Sequence, residues 1–387
     1  MKFIHLADLH LGKSLLEAPL LEEQESFLQW VLETAREEQA DAIVMAGDVY
    51  DRTVPPAGAV EVLNRFLEQA NRAGIPVLAV SGNHDSPERL DFLSGVLTAQ
   101  GIHIAGVYGG RVPKVVLRDE EGPVNFYLLP FLKPVFVRQA LDCSAATTDE
   151  AVRAALEGLP ENPEERNVLV AHQFVCAGGQ QPETCESETL SVGGSDQVDA
   201  SAFHGFDYVA LGHLHRGQRM GADTVRYAGS PLKYSLSEVN HKKSVPLITL
   251  GPKGQVDIRL LPVTPRRDLR RIQGELEALL AAGRGDAEGR EDYIWAVLTG
   301  ETGLDPAERL RLIYPHLLHV EVAPPPGTAE GEDTDVDMGM DPTVRGDVVS
   351  LFQDFFTAMT GHSLSDEQHQ VVQDVADKLR EREKNSD

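Results

Sequence analysis

Seven side chains that suit divalent metals follow five short apolar runs in this chain. Asp8 and His10 follow KFIHLA (2–7), and Asp48 follows AIVMA (42–46). Asn83 comes shortly after PVLAV (76–80), and His172 follows NVLVA (167–171). His213 and His215 follow YVALG (208–212). Four imidazoles, two carboxylates and one amide oxygen make a nitrogen and oxygen donor set without thiolate. Such a set suits manganese, iron, zinc or cobalt better than calcium alone. A carboxylate shared by two cations about 3.5–4 Å apart is an arrangement that hydrolyses phosphoesters. The D-x-H and H-x-H spacings fit the same idea, because alternate residues past a strand end point the same way. Any one of these histidines alone reads more simply as structural. Five strand ends in succession carrying such groups do not read that way.

The third of these sites, SGNHDSPERL (81–90), has a plainer reading as a turn. Asn and Asp are turn residues, and Ser86-Pro87 is a good helix start, with Ser as N-cap and Pro at the first helical position. The two readings agree if the turn sends Asn83 to one side and His84 to the other, with the helix fixing the turn.

The elements needed to position these groups are visible in the patterning. The apolar runs alternate with amphipathic stretches such as LLEEQESFLQWVLETAREEQ and AVEVLNRFLEQANRAG, the second closing on Gly74. Alternation of this kind predicts an α/β layered domain over residues 1–260, with ligands gathered in one crevice at the C-terminal strand ends. Residues 262–322 read as strand, helix, strand, helix, strand, a small α+β capping domain. Residues 323–343 are rich in Pro, Gly and acid, and read as a flexible linker. Residues 344–384 read as a helical docking segment whose Val348, Phe352, Phe355 and Phe356 form an apolar stripe. That stripe either docks a partner or packs on its own chain.

The totals limit the classes. A chain of 387 residues predicts two or three domains. No apolar run reaches the roughly 18–20 residues that span a membrane, and MKFIHLADLHLGKS lacks the apolar core of a signal peptide. A cytoplasmic protein without membrane attachment is expected. Cys143, Cys176 and Cys185 form no C-x-x-C pair and read as incidental thiols. The net charge of −26 argues against nucleic acid if taken alone. A sum over the surface does not exclude a basic patch, and AEGEDTDVDMGMD (329–341) holds much of the acid.

D-x-H, GDxxDR, GNHD, a later AH and GHxH together resemble the motif set of calcineurin-like metallophosphoesterases. More narrowly, MKFIHLADLHLG, AGDVYD, SGNHDSPERL, LGHLHRGQ and YAGSPLKYSLSE are similar to the SbcD family of nuclease subunits, which act with the SbcC ATPase. The resemblance runs to about residue 322. It implies β-sheets flanked by helices and two Mn²⁺ per subunit, other divalent metals being possible. It implies that Asp8, His10 and His215 hold one metal, that Asn83, His172 and His213 hold the other, and that Asp48 bridges. His84 would then face the scissile phosphate as a catalytic acid. Asp51 matches a residue that orients that histidine in related phosphatases. The implied partners are DNA, SbcC and a second copy of the chain, within a heterotetramer of two subunits of each kind. The implied activities are 3'–5' exonuclease on duplex ends and endonuclease on single strands and hairpins, in DNA repair, recombination and replication.

Lys13, Arg52 and Arg89 lie near the motif loops and are candidate DNA contacts, as are Arg216, Lys233, Lys242 and Lys243. LDFLSGVLTAQ after GNHD supplies apolar candidates for pairing two copies. A phosphoesterase acting on small phosphodiesters is the alternative, and a non-catalytic scaffold a third possibility.

Overall fold

The structure is a computed structural model and describes residues 1–188, 196–300 and 305–323, with 368, 369, 372 and 373 besides. The expected acidic linker and docking helices lie almost wholly outside the described residues. Residues 1–325 belong to one compact unit.

Five strands carry the candidate residues: β1 (Lys2–Leu6), β2 (Ala42–Ala46), β3 (Val77–Val80), β4 (Arg166–His172) and β5 (Tyr208–Gly212). Their near-continuous apolar runs suit strands covered on both faces. They belong to two six-stranded sheets. In the first, Val256–Pro262, Ser244–Leu250, β1, β2, β3 and Ile102–Ala105 lie side by side. In the second the order is Gln218–Met220, Ala222–Tyr227, β5, β4, Gly122–Leu129 and Lys114–Asp119. Pairing is parallel from β1 through β2 and β3 in one sheet, and between β4 and β5 in the other.

The sheets pack face to face over a core that includes Phe3, Val44, Leu78, Phe126, Val168 and Tyr208. Phe3 meets Phe126 and Tyr208 edge-on, with ring centroids 5.4 and 5.8 Å away. Helices cover the outer faces. Leu21–Glu37 buries Phe27, Leu28, Val31 and Leu32 on the first sheet, at the spacing that puts them on one helix face. Pro134–Leu141 and Thr148–Ala155 cover the second. The layers are thus helix, sheet, sheet, helix. The expected crevice is a seam: three of the five strand ends come from one sheet and two from the other.

Residues 269–322 follow the expected strand and helix order. Leu269–Gly274, Tyr293–Leu298 and Leu317–Val322 form a parallel three-stranded sheet beside helices Leu276–Gly285 and Pro306–Arg311. This part meets the rest through Leu15, Leu20, Leu232, Tyr234, Leu269 and Tyr293. Charges reinforce the joint. Lys233 Nζ meets Asp268 at 2.9 Å, Arg266 meets Glu22 at 2.8 Å, and Arg267 pairs with Glu23. The next residue, Gln24, turns inward: it donates to the carbonyls of Leu9 (3.1 Å) and His10 (2.7 Å) and accepts from the amide of Gly12 (2.9 Å).

At the other end of β4, buried Arg166 forms a two-pronged pair with Asp119, one contact being 2.9 Å. That guanidinium holds the Asp119 carboxyl well below its ordinary range. The folded value is depressed, so the pair stabilises fully above the unfolded value of about 3.9 and fades as pH falls below it. Asp119→Asn is therefore expected to lower the urea midpoint at pH 7 and to differ less from wild type at pH 3. An equal deficit at both pH values would contradict this.

Candidate metal centre

Each strand end hands its donor to the seam by a tight local conformation. Asp8, His10, Asp48 and His213 all have positive φ, at 52°, 44°, 48° and 113°. For residues with a Cβ this is strained, at about 1–3 kcal/mol each, and such strain gathers at functional sites. Cross-links hold it. The amides of Asp8, His10 and Leu11 donate to the carbonyls of Gly47, Asp48 and Val49 at 3.1, 2.9 and 2.9 Å. The His213 amide donates to Asp8 Oδ1 at 2.9 Å, joining the two sheets. Two glycines allow the approach. A Cβ on Gly212 would collide with the Ala46 carbonyl and the His172 ring, and one on Gly82 with Asp48.

The seven expected donors converge. One atom from each of Asp8, His10 and His215 lies within 4.8 Å of the others, and the same holds for Asp8, Asp48 and His172. His10 Nε2 and His215 Nε2 face each other at 3.1 Å. Asp48 Oδ2 stands between the groups, 3.6 Å from His10 Nε2 and 3.4 Å from His172 Nε2. Asn83 Oδ1 lies 2.9 Å from both His172 Nε2 and His213 Nδ1.

All of these except Asn83, which is half-buried, are buried. Burial pushes His213 down to about 3 and His215 down to about 4, so both rings stay neutral, as ligands must. Burial also raises the Asp8 carboxyl well above its ordinary range. Burial opposes the charge on Asp48, yet His172 and His10 hold its carboxyl well below that range. Burial likewise disfavours a charged His172, but Asp48 and Asp8 overcome it and push the ring up to about 9. Two carboxylates buried side by side call for positive charge. Asp8 Oδ2 and His213 Nε2 are buried without a hydrogen-bond partner. The unpartnered Asp8 oxygen, the facing imidazole nitrogens and an all nitrogen and oxygen donor set fit a pair of divalent cations.

His84 sits at the rim, half-buried, its ring 4.8 Å from that of His10. Its amide donates to Asp48 Oδ1 at 2.9 Å, and its Nδ1 donates to the carbonyl of Asp51 at 3.0 Å. Asp51 thus reaches His84 through its backbone. Its carboxylate faces Lys13 Nζ at 2.8 Å and His10 Nδ1 at 3.5 Å. Arg52 is largely exposed beside Asp51, 3.4 Å away, and Arg89 is exposed on the short helix Pro87–Leu90. That helix starts as expected, with Ser86 capping the Arg89 amide, but lasts one turn.

Sequence reasoning gave no role to Asp85. This buried carboxylate accepts from the amides of Val49 (3.1 Å), Tyr50 (2.9 Å) and Gly82 (2.9 Å), tying the loop after β2 to the loop after β3. Its place in GNHD was the available signal. Ser187 and Glu238, which stand behind His215, were also missed.

Strand ends that assemble such a donor set between two helix-covered sheets define a class, the metal-dependent phosphoesterases. A family model described as calcineurin-like phosphoesterase matches residues 1–217. A second, described as type 5 capsule protein repressor C-terminal domain, matches residues 265–360. A curated relative, the SbcD subunit of the nuclease SbcCD from Staphylococcus epidermidis, is 32% identical over 324 residues, covering 82% of this chain and 84% of that one. The chain belongs to the SbcD family of calcineurin-like phosphoesterases, and it is a metal-binding nuclease of the phosphodiester hydrolase type. Two solved structures are also similar. One, from Thermus thermophilus, has a TM-score of 0.38 and 16% identity over 67% of this chain and 98% of its own. The other, a dimetal phosphatase from Danio rerio, has a TM-score of 0.39 and 14% identity over 68% and 98%.

The close packing at Gly212 gives a test. Gly212→Ala is expected to abolish Mn²⁺ binding measured by calorimetry and to lower the urea midpoint, because the strand ends must part. Unchanged Mn²⁺ affinity would show that the seam has slack.

Proposed function

We propose that this chain hydrolyses DNA phosphodiesters as the nuclease subunit of an SbcCD-type complex. It would act as a 3'–5' exonuclease on duplex ends and as an endonuclease on single strands and hairpins, in repair, recombination and replication. The placement of His84 supports this reading most. Its Nδ1 is committed to the Asp51 carbonyl, which accepts only, so Nε2 is the nitrogen left for a substrate. One of its ring nitrogens and one atom each of His10 and Asp48 lie within 4.8 Å of one another, and the half-buried ring sits at the open edge of that cluster.

Asp8, His10 and His215 would hold one cation and Asn83, His172 and His213 the other, with Asp48 shared. Mn²⁺ is the proposed metal. Two such cations, when bound, would supply neutralisation of phosphoryl charge and acidify water. The chain's own part is to fix these donors, to exclude bulk water and to place an imidazolium at the leaving oxygen. The Asp48 carboxylate, which accepts from the His84 amide, and the Asp51 carbonyl, which accepts from its Nδ1, set the angle of the His84 ring. As imidazolium it releases its Nε2 proton to the leaving oxygen, a role that typically contributes about 10²–10⁴-fold. Lys13, Arg52 and Arg89 would contact the DNA backbone. Lys13 and Arg52 both meet the Asp51 carboxylate, at 2.8 and 3.4 Å, while Arg89 is exposed. Among the described residues no helix is long and apolar enough to cross a membrane.

His84→Gln is expected to bind Mn²⁺ as wild type does and to lose about 10²–10⁴-fold in cleavage of end-labelled DNA. Normal cleavage would refute the acid role. Bis-p-nitrophenyl phosphate assayed beside DNA separates the alternative: turnover of the small diester alone, even with SbcC added, would place the protein among small-molecule phosphodiesterases.

The pairing surface has a candidate too. Phe92, Leu93 and Val96 follow the GNHD loop and are 72%, 54% and 66% exposed. Such a cluster of large apolar side chains marks an interaction site. We place there the contact between two copies of the chain in a heterotetramer with two copies of SbcC. Residues 344–384 of this chain would be the segment that docks on SbcC. Phe92→Asp is expected to convert a dimer to a monomer in sedimentation analysis. A dimer that survives would move the contact elsewhere.

A further inference from the structure

The segment GSPLKYSLSE (229–238) ends in an acid that the function above does not use. Glu238 is fully buried, and it stands behind His215. The His215 ring has two sides. Nε2 faces His10 in the cluster. Nδ1 faces away, 2.7 Å from Ser187 Oγ and 3.5 Å from Glu238 Oε1. Ser187 Oγ in turn lies 2.6 Å from Glu238 Oε1. A carboxylate only accepts, so the single hydroxyl proton of Ser187 goes to Glu238. Ser187 must then accept from Nδ1–H. That order of donors fixes the tautomer and leaves the Nε2 lone pair pointing into the cluster.

Glu238 is itself held from several directions. The Tyr234 amide donates to Oε1 at 3.1 Å, and Lys243 pairs with Oε2. Lys243 Nζ also donates to the His215 carbonyl at 2.9 Å and to Ser230 Oγ at 2.8 Å. One lysine therefore grips both the acid and the backbone of the histidine it supports. His10 has a looser form of this backing: the Asp51 carboxylate, held by Lys13, lies 3.5 Å behind its Nδ1, which makes no hydrogen bond. The other donors have no such backing. His172 Nδ1 donates to a neutral carbonyl, that of Ala46, at 2.8 Å. His213 Nε2 is buried without a partner.

We propose that Glu238, acting through Ser187 and clamped by Lys243, is the positioning residue for His215, and that the cation position of Asp8, His10 and His215 is the tighter of the two. This rests on the two-cation reading above. A carboxylate behind a ligating imidazole fixes the ring and makes it a stronger donor, and its loss typically lowers metal affinity about 10–100-fold. At this position His215 has that support through a hydrogen-bonded relay, and His10 has a carboxylate 3.5 Å behind its ring. Neither histidine at the other position has it.

The test is calorimetric titration of the metal-stripped full chain with Mn²⁺, alongside low-temperature electron paramagnetic resonance to count isolated and coupled ions. Wild type is expected to show two classes of site. Glu238→Gln should weaken the tighter class about 10–100-fold and leave the looser one within a factor of a few. Repeating the titration in a His172→Ala background leaves the Asp8, His10 and His215 position, and the loss should persist there. Ser187→Ala breaks the relay while keeping the Glu238 and Lys243 pair, so it guards against a Glu238→Gln chain that does not fold. It should weaken the same class. A purely structural Glu238 would lower the urea midpoint of the metal-free chain and leave the affinities alone, which overturns the proposal. A loss confined to the looser class overturns it as well. A wild-type chain that binds no pair of Mn²⁺ overturns the two-cation reading and this proposal together.

Discussion

The contact between the Gly212 backbone, the Ala46 carbonyl and the His172 ring sets how closely two sheets approach where their strands end. Everything in the centre depends on that approach. The donors of β1, β2 and β3 belong to one sheet and those of β4 and β5 to the other. No short loop could bring them together, because the segments are up to about two hundred residues apart in sequence. The large core between the sheets, with Phe3 lodged against Phe126 and Tyr208, supplies the rigidity. It also offsets the left-handed backbone at Asp8, His10, Asp48 and His213, since local strain persists only where surrounding structure determines it.

The interior of the centre and its outside follow different electrostatic rules. Inside, buried carboxylates face imidazoles, and burial keeps the His213 and His215 rings neutral. Outside, the surface as a whole is acidic, with a net charge of −26. A polyanionic substrate is therefore repelled at a distance and must be drawn in by local features. This makes the exposed Arg52 and Arg89 near the rim more significant than their number suggests.

Much of this was legible in the sequence. Asp8, His10, Asp48, Asn83, His172, His213 and His215 stood out because polar, metal-capable residues are unusual directly after buried apolar runs. The order of strands and helices between 269 and 322 was legible because the helical and strand periods switch there in clear order. What stayed hidden depends on tertiary geometry. An apolar run reads the same in one sheet or two, so the seam looked like a single crevice. Asp51 was expected near His84, and it is near, but which of its oxygens faces which partner is decided by the turn it occupies. Asp85 looks like a turn residue until its three amide donors are seen. Glu238 lies twenty-three residues beyond His215, with no periodicity linking the two.

The start of helix Leu21–Glu37 joins two parts of the molecule through consecutive residues. Glu22 and Glu23 grip Arg266 and Arg267, which lead into the small domain. Gln24 grips the backbone of Leu9, His10 and Gly12. A helix is stiff over one turn, so these contacts behave as the two arms of a rocker with a very short span. A pull on the small domain is delivered, one residue later, to the loop that carries His10. Mechanical load applied to the small sheet and its helices would thus be felt first by the backbone on either side of His10.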